Sequence, residues 1–318
     1  MSMFRREKVL VTGGAGFVGS HLARKLVSLG ATVTIVDDLS TGRAENIEDI
    51  RRNVLFLKGD LRDLRTAVKA CSGRKYIFHL AADMGGMGYI DRNPAILNNN
   101  LRIDLNMLAV ARADLDLEAF LYGSSACIYP EYKQSISLAR RLRESDAYPA
   151  QPDTDYGWEK LTAERFFQEL PVRLPRFHNV FGPYSSFDER GKAPMHLIVK
   201  AIKHPKPPFE IWGDGKQTRS FLYIDDCVDA LIKLMESDFQ EPINIGSDRL
   251  ISINDIAQII IRISGKNIVA RYNLHKPQGV RGRNADITLA RKVLGWEPKI
   301  SLEDGLSRTF LWALSQKP

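Results

Sequence analysis

Tyr156 and Lys160 stand four residues apart in a stretch patterned for a helix, which puts both side chains on one helical face. A phenol beside an ammonium can give or take the hydroxyl proton of an alcohol while a hydride moves at the same carbon. A free tyrosine ionises near pH ~10, so it must be lowered; the adjacent ammonium and any second cation bound nearby both act in that direction. Ser125, just beyond an apolar run at 119–122, can hold the same oxygen. Taken alone, this spacing describes any amphipathic helix. A glycine turn far upstream gives it a second meaning.

Gly13, Gly16 and Gly19 follow a β-branched run at 9–11 and open a helical pattern at 17–28. Glycine is needed there for a tight turn, for close approach of backbone to a pyrophosphate, and for close packing of helix on sheet. The first helical turn, with Phe17 and Val18, offers free N–H groups and a positive dipole end to phosphates. Asp37 ends the next strand about 20 residues on, where a carboxylate accepts hydrogen bonds from ribose hydroxyls and repels a 2′-phosphate. This predicts NAD over NADP. Asp38 could exchange roles with Asp37, and Arg43 leaves room for a phosphate. Asp60 and Leu61 follow the third strand, where an Asp can reach an adenine amino edge; Ala81 follows the fourth and is small enough for a cofactor to lie over it.

These groups need a frame. Apolar runs at 32–36, 54–57, 76–80, 119–122 and 172–174 alternate with helical patterns, among them 97–113 and the helix after Asp155. Consecutive apolar positions in short strands indicate a parallel sheet covered on both faces. The expected fold is α/β, a Rossmann-type doubly wound parallel sheet with a smaller mixed α/β C-terminal substrate lobe. Prolines at 205, 207 and 208 and short irregular elements mark the change after Asn179. Residues 1–178 are read as the dinucleotide domain and 179–318 as the second lobe, with segments near 224–247 returning to the first.

The chain has 318 residues and a formal charge of +7. Its basic residues are scattered rather than gathered, which favours an anionic small ligand over nucleic acid. No apolar run of ~18 residues suggests a membrane span. The start is polar, without the apolar centre of a signal peptide, and three cysteines are too few for a disulfide scaffold. The expectation is a cytoplasmic protein without a metal centre.

The glycine turn, the Ser and the Tyr/Lys pair together resemble the extended short-chain dehydrogenases/reductases. Further segments are more particular: AADMGGMG at 81–88, SSACIYP at 124–130, RFHN at 176–179, KAP at 192–194, WGDGKQTRSF at 212–221 and GVRGRN at 279–284. These are similar to the GDP-mannose 3,5-epimerases, in order from about Lys8 to Leu314. The connection at 165–176 is shorter than in the plant-type pattern, and the loop at 185–191 differs.

The resemblance implies an isomerase that uses NAD to make a transient ketone at C4 of the hexose of GDP-mannose or a related nucleotide sugar. Protons are then exchanged at C3 and C5, giving GDP-L-galactose and/or GDP-L-gulose. It implies Cys127 and Lys192 as the base–acid pair; on residue chemistry alone they would be a small buried thiol and an ordinary surface lysine. Substrate contacts are implied at Gly85, Met87, Gly88, Asn179, Lys192, Lys200, Arg219 and Arg281, with Arg283 as a further cation, and a homodimer is implied through the helices at 97–113 and 155–168. His79 reads as a core histidine and His178 as a wall of the sugar pocket. The glycine run at 85–88 reads as a loop. A 4-epimerase or 4,6-dehydratase of another nucleotide sugar is the rival enzyme, and a silent NAD-binding sensor the rival outside catalysis. Dehydratases present Asp-Glu where this chain has Ala126 and Cys127, and a sensor has no need of a proton relay.

Overall fold

A computed structural model describes residues 2–90, 92–114, 116–188 and 190–318. Its central sheet is built on β1 (Lys8–Thr12), β2 (Thr32–Asp37), β3 (Val54–Lys58), β4 (Tyr76–His79), β5 (Ala119–Tyr122), β6 (Val172–Phe177) and β7 (Pro242–Ile245). The order is β7-β6-β5-β4-β1-β2-β3, and every pairing is parallel. The helices that matter for the site are α1 (Phe17–Ser28), α2 (Leu64–Cys71), the single turn α3 (Met87–Ile90), α4 (Ile96–Ala113), α5 (Asp155–Phe167), α6 (Ala193–Lys203) and α7 (Ile224–Glu236).

The expected strands are apolar on consecutive positions because both faces are covered. Val9 and Val11 face one core with Leu22 of α1 and Leu231 of α7, while Leu10 between them faces another with Ala67 of α2, Met107 of α4 and Phe167 of α5. The strand order turns back between β1 and β4. In an open α/β sheet this leaves a crevice at the strand C-termini, where ligands bind.

The two halves exchange segments. β7 and α7, from the second half, complete the large sheet and its helical cover. Arg141–Leu142, from the first half, pairs with Gly282–Ala285 in a small mixed sheet that also contains Thr218–Ser220 and Leu250–Ser252. Residues 279–284 are thereby carried against the turn that follows β5. The glycine run at 85–88 departs from expectation: Met87–Ile90 closes one helical turn, with Tyr89 N–H donating to the Gly86 carbonyl.

Candidate active site

Gly13 directly follows β1, and its φ of +64° suits glycine; an added Cβ would lie 3.0 Å from the Ala81 backbone. A Cβ on Gly19 would lie 2.2 Å from the Gly13 carbonyl oxygen. Gly16 caps α1 without a side chain, leaving the first-turn N–H groups to the cleft in front of them. That cradle fits a pyrophosphate. Every residue assigned to the cofactor by sequence, including Phe17, Val18, Asp60, Leu61 and Ala81, lines this one cleft, as do Tyr156 and Lys160 from α5.

Asp37 has two tasks. Its carboxylate accepts from the Ala15 N–H at 2.9 Å and the Leu39 N–H at 2.9 Å, tying the glycine turn to the loop after β2. Burial pushes its carboxyl above the usual range. Asp60 is gripped by Arg62, whose Nε lies 3.0 and 2.9 Å from the two carboxylate oxygens. Arg190 was not anticipated from sequence. It donates to the Ser40 carbonyl at 3.0 Å and to the Tyr89 hydroxyl at 3.0 Å, spanning the loop after β2 and the turn α3.

A second cavity continues from the first. Ser125, Tyr156, Phe177, Gly191 and Lys192 line both, whereas Cys127 lines only the second. The tight turn at 124–128 places the serine and the thiol: Ser125 Oγ accepts from the Cys127 N–H at 3.2 Å. Arg283 points its Nη1 at the Cys127 sulfur across 3.3 Å. Lys192 caps α6 ahead of Pro194, and burial draws its ammonium below the usual lysine range, with Cys127 acting in the opposite sense.

The reading of Tyr156 needs a correction. Burial, then the neighbouring Cys127 and Glu159, push its phenol well above the usual range, and the Ser125 hydrogen bond only partly opposes this. Lys160 does not reach the phenol oxygen. Its ammonium lies 5.8 Å from the Tyr156 ring centroid and donates instead to the Tyr122 hydroxyl at 2.9 Å. The chain's own groups therefore hold the phenol neutral, and a cationic cofactor ring must supply the missing pull.

The cationic contacts also sort differently. Arg219 is half-buried and lines the second cavity, where desolvation and then Arg283 lower it to about 9. Lys200 lines the cavity but donates to the Glu210 carbonyl at 2.7 Å. Arg281 does not line it; its guanidinium forks onto Asp214 at 2.8 Å on both oxygens. Arg283, expected as a further cation for the diphosphate, is the one beside the thiol. Asn179 holds a φ of +42° and donates to the Ser220 carbonyl at 3.0 Å on the cavity wall. Gly85 and Gly88 line the cavity, but an added Cβ at either would meet Tyr89 or Trp212 of the chain itself. The Met87 side chain lies outside the described residues. His178 does not line the cavity: it is fully buried, with Nε2 2.8 Å from Asn244 Oδ1. His79 is a core histidine, as expected. Trp212 and Gln217, which lie inside a segment noted in the sequence, line the cavity without having been singled out.

Among the described residues no helix is long and apolar enough to cross a membrane. The NAD dependent epimerase/dehydratase family matches residues 9–246. GDP-mannose 3,5-epimerase 1 of Oryza sativa subsp. japonica is 42% identical over 97% of this chain and 82% of its own length. GDP-mannose 3,5-epimerase of Arabidopsis thaliana is 41% identical over the same shares. Among solved structures, UDP-glucose 4-epimerase of Thermotoga maritima, with UDP-glucose, superposes with a TM-score of 0.86 at 28% identity, covering 98% of this chain and 100% of that one.

Proposed function

The chain belongs to the NAD-dependent epimerase/dehydratase family, and we propose that it epimerises GDP-mannose at C3 and C5 through a 4-keto intermediate. The observation that carries this reading is the cavity beyond Tyr156. A thiol and an amine, Cys127 and Lys192, both line it, and it adjoins the cleft that fits the dinucleotide.

Bound NAD supplies a hydride acceptor and, once reduced, a donor at C4 of the hexose. Tyr156 takes the C4 hydroxyl proton, and Ser125 holds that oxygen in line. The resulting carbonyl acidifies the hydrogens on C3 and C5. One of Cys127 and Lys192 removes such a proton, and the other returns one to the opposite face. When C4 is reduced again, Tyr156 gives back its proton. A 4-epimerase would need only Tyr156, since its ketone turns over without enolising; a thiol and an amine in the cavity favour proton exchange at carbon.

Incubation with GDP-mannose in heavy water tests this. Deuterium should enter C3 and C5, and Cys127→Ala should stop the exchange while C4 oxidation stays measurable at the nicotinamide band. Full exchange in that variant removes Cys127 from the reaction. The chemistry needs Cys127 as a free thiol, which fits a reducing compartment such as the cytoplasm. A homodimer through α4 and α5 would cover Leu105 and Trp158, which are 48% and 43% exposed. Sedimentation of the chain and of Trp158→Glu tests that pairing.

A further inference from the structure

Beneath Lys160 lies a sealed polar unit made by β1, β4, β5, α4 and α5. The Tyr122 hydroxyl has three partners: Lys160 Nζ at 2.9 Å, Glu159 Oε1 at 2.9 Å and Asp104 Oδ2 at 3.0 Å. Asp104, Tyr122 and Glu159 are each no more than 1% exposed. The ammonium donates, so the phenol oxygen accepts there. With one hydrogen, Tyr122 can donate to only one of the two carboxyl groups. The other must bring a hydrogen of its own.

The surrounding groups exclude other sources of that proton. Thr12 Oγ1 accepts from the Leu80 and Ala81 N–H groups, both at 3.0 Å, so its hydroxyl hydrogen goes to His79 Nδ1 at 2.7 Å. His79 is then the Nε2–H tautomer and donates to Asp104 Oδ1 at 3.0 Å; burial lowers its ring to about 3, so it stays neutral. Asn100 Oδ1 accepts from the Asp83 N–H, which turns its amide N–H toward Glu159 Oε2 at 2.9 Å. Burial raises both carboxyl groups. Tyr156, one turn earlier on α5, is held neutral, as described above.

We propose that Asp104 and Glu159 are positioning residues that share a single proton and hold Lys160 against one buried counter-charge. The unit is electrically neutral: one ammonium, one carboxylate, one carboxylic acid. It runs from Lys160 to the Leu80 and Ala81 backbone, so the ammonium and the floor of the cofactor cleft are fixed by the same bonds. The proposal rests on the role proposed for Tyr156, whose ring centroid the Lys160 ammonium faces across 5.8 Å in the same cleft.

Asp104→Asn and Glu159→Gln each replace a carboxyl group by a neutral amide that can donate to Tyr122, and so take the place of the shared proton. Wild-type protein should show an infrared carbonyl band of a neutral carboxyl group at neutral pH. Either single variant should lose that band, because the remaining acid is then ionised. Each should also keep the rate of C4 oxidation within about threefold. The double variant leaves the ammonium without a counter-charge; its rate should fall by about a hundredfold. A band that survives in both single variants, or a single variant as slow as the double, overturns the proposal. The infrared comparison needs no substrate, so it stands whatever sugar the enzyme takes, and it decides the question alone if the double variant fails to fold.

Discussion

Arg283 donates to the Cys127 sulfur from 156 positions further along the chain; its Nε donates to Gln134 Oε1, and its Nη2 stands 3.8 Å from Asp153. The guanidinium is therefore oriented by Gln134 while it faces the thiol. A charge-assisted hydrogen bond of this kind strengthens as the sulfur becomes anionic. Arg283→Met should lower deuterium entry at C3 and C5 by about a hundredfold while nicotinamide reduction stays within about threefold. Arg283→Lys should rescue little, because a single ammonium cannot reach Gln134 and the sulfur together. Equal loss of both readouts would show instead that Arg283 only supports the fold.

Tyr156 gives a pH dependence with a definite sign. Its phenol is pushed upward by burial first, and the base that accepts the C4 proton is the phenolate. A raised group becomes competent only as pH climbs, so the rate of C4 oxidation should rise from neutral into alkaline solution. It should flatten where the cofactor-bound phenol has ionised. Stopped-flow absorbance across that range checks this, and Tyr156→Phe should remove the rise along with about 10²–10⁴ of the rate.

Asp37 should make NAD bind at least about tenfold more tightly than NADP, since its buried carboxylate faces the cleft where a 2′-phosphate would lie. Asp37→Ala should weaken NAD without improving NADP. The substitution also frees the Ala15 and Leu39 N–H groups, so the glycine turn loses its tie to the next loop. Titration of both dinucleotides by protein fluorescence separates the outcomes; a clean switch to NADP would show that Asp37 reads only the ribose.

The cofactor half of this site was legible in the sequence because its determinants are local. Gly13, Gly16 and Asp37 act through a turn, a helix end and a strand end, all within one βαβ unit. The substrate half is assembled from Ser125, Lys192 and Arg283, which meet only once Gly282–Ala285 pairs with Arg141–Leu142. Spacing carries no record of that pairing, so Arg281 and Arg283 could be recognised as cations but not told apart by partner. Asp104 and Glu159 escaped notice for a different reason. On α4 and α5 they look like ordinary helix-surface acids, and only the 0–1% exposure shown by the fold makes them exceptional.

The turn that carries Ser125 and Cys127 rests on a buried ion pair. Arg176 donates from Nη2 to Glu164 Oε2 at 2.7 Å and from Nη1 to the Glu144 carbonyl at 2.7 Å; Glu164 also accepts from the Ser124 hydroxyl. Both side chains are 3% exposed. Removing one partner leaves the other charge stranded, which costs about 3–5 kcal/mol. Glu164→Ala should therefore lower the urea midpoint sharply. Replacing both residues by apolar side chains of similar size should recover much of that stability, because no charge is then left buried. The recovered protein should still catalyse poorly, since Ser124 has lost its acceptor and the turn beside it is free to shift. Return of both stability and rate in the double variant would show that the pair does not position Ser125 and Cys127.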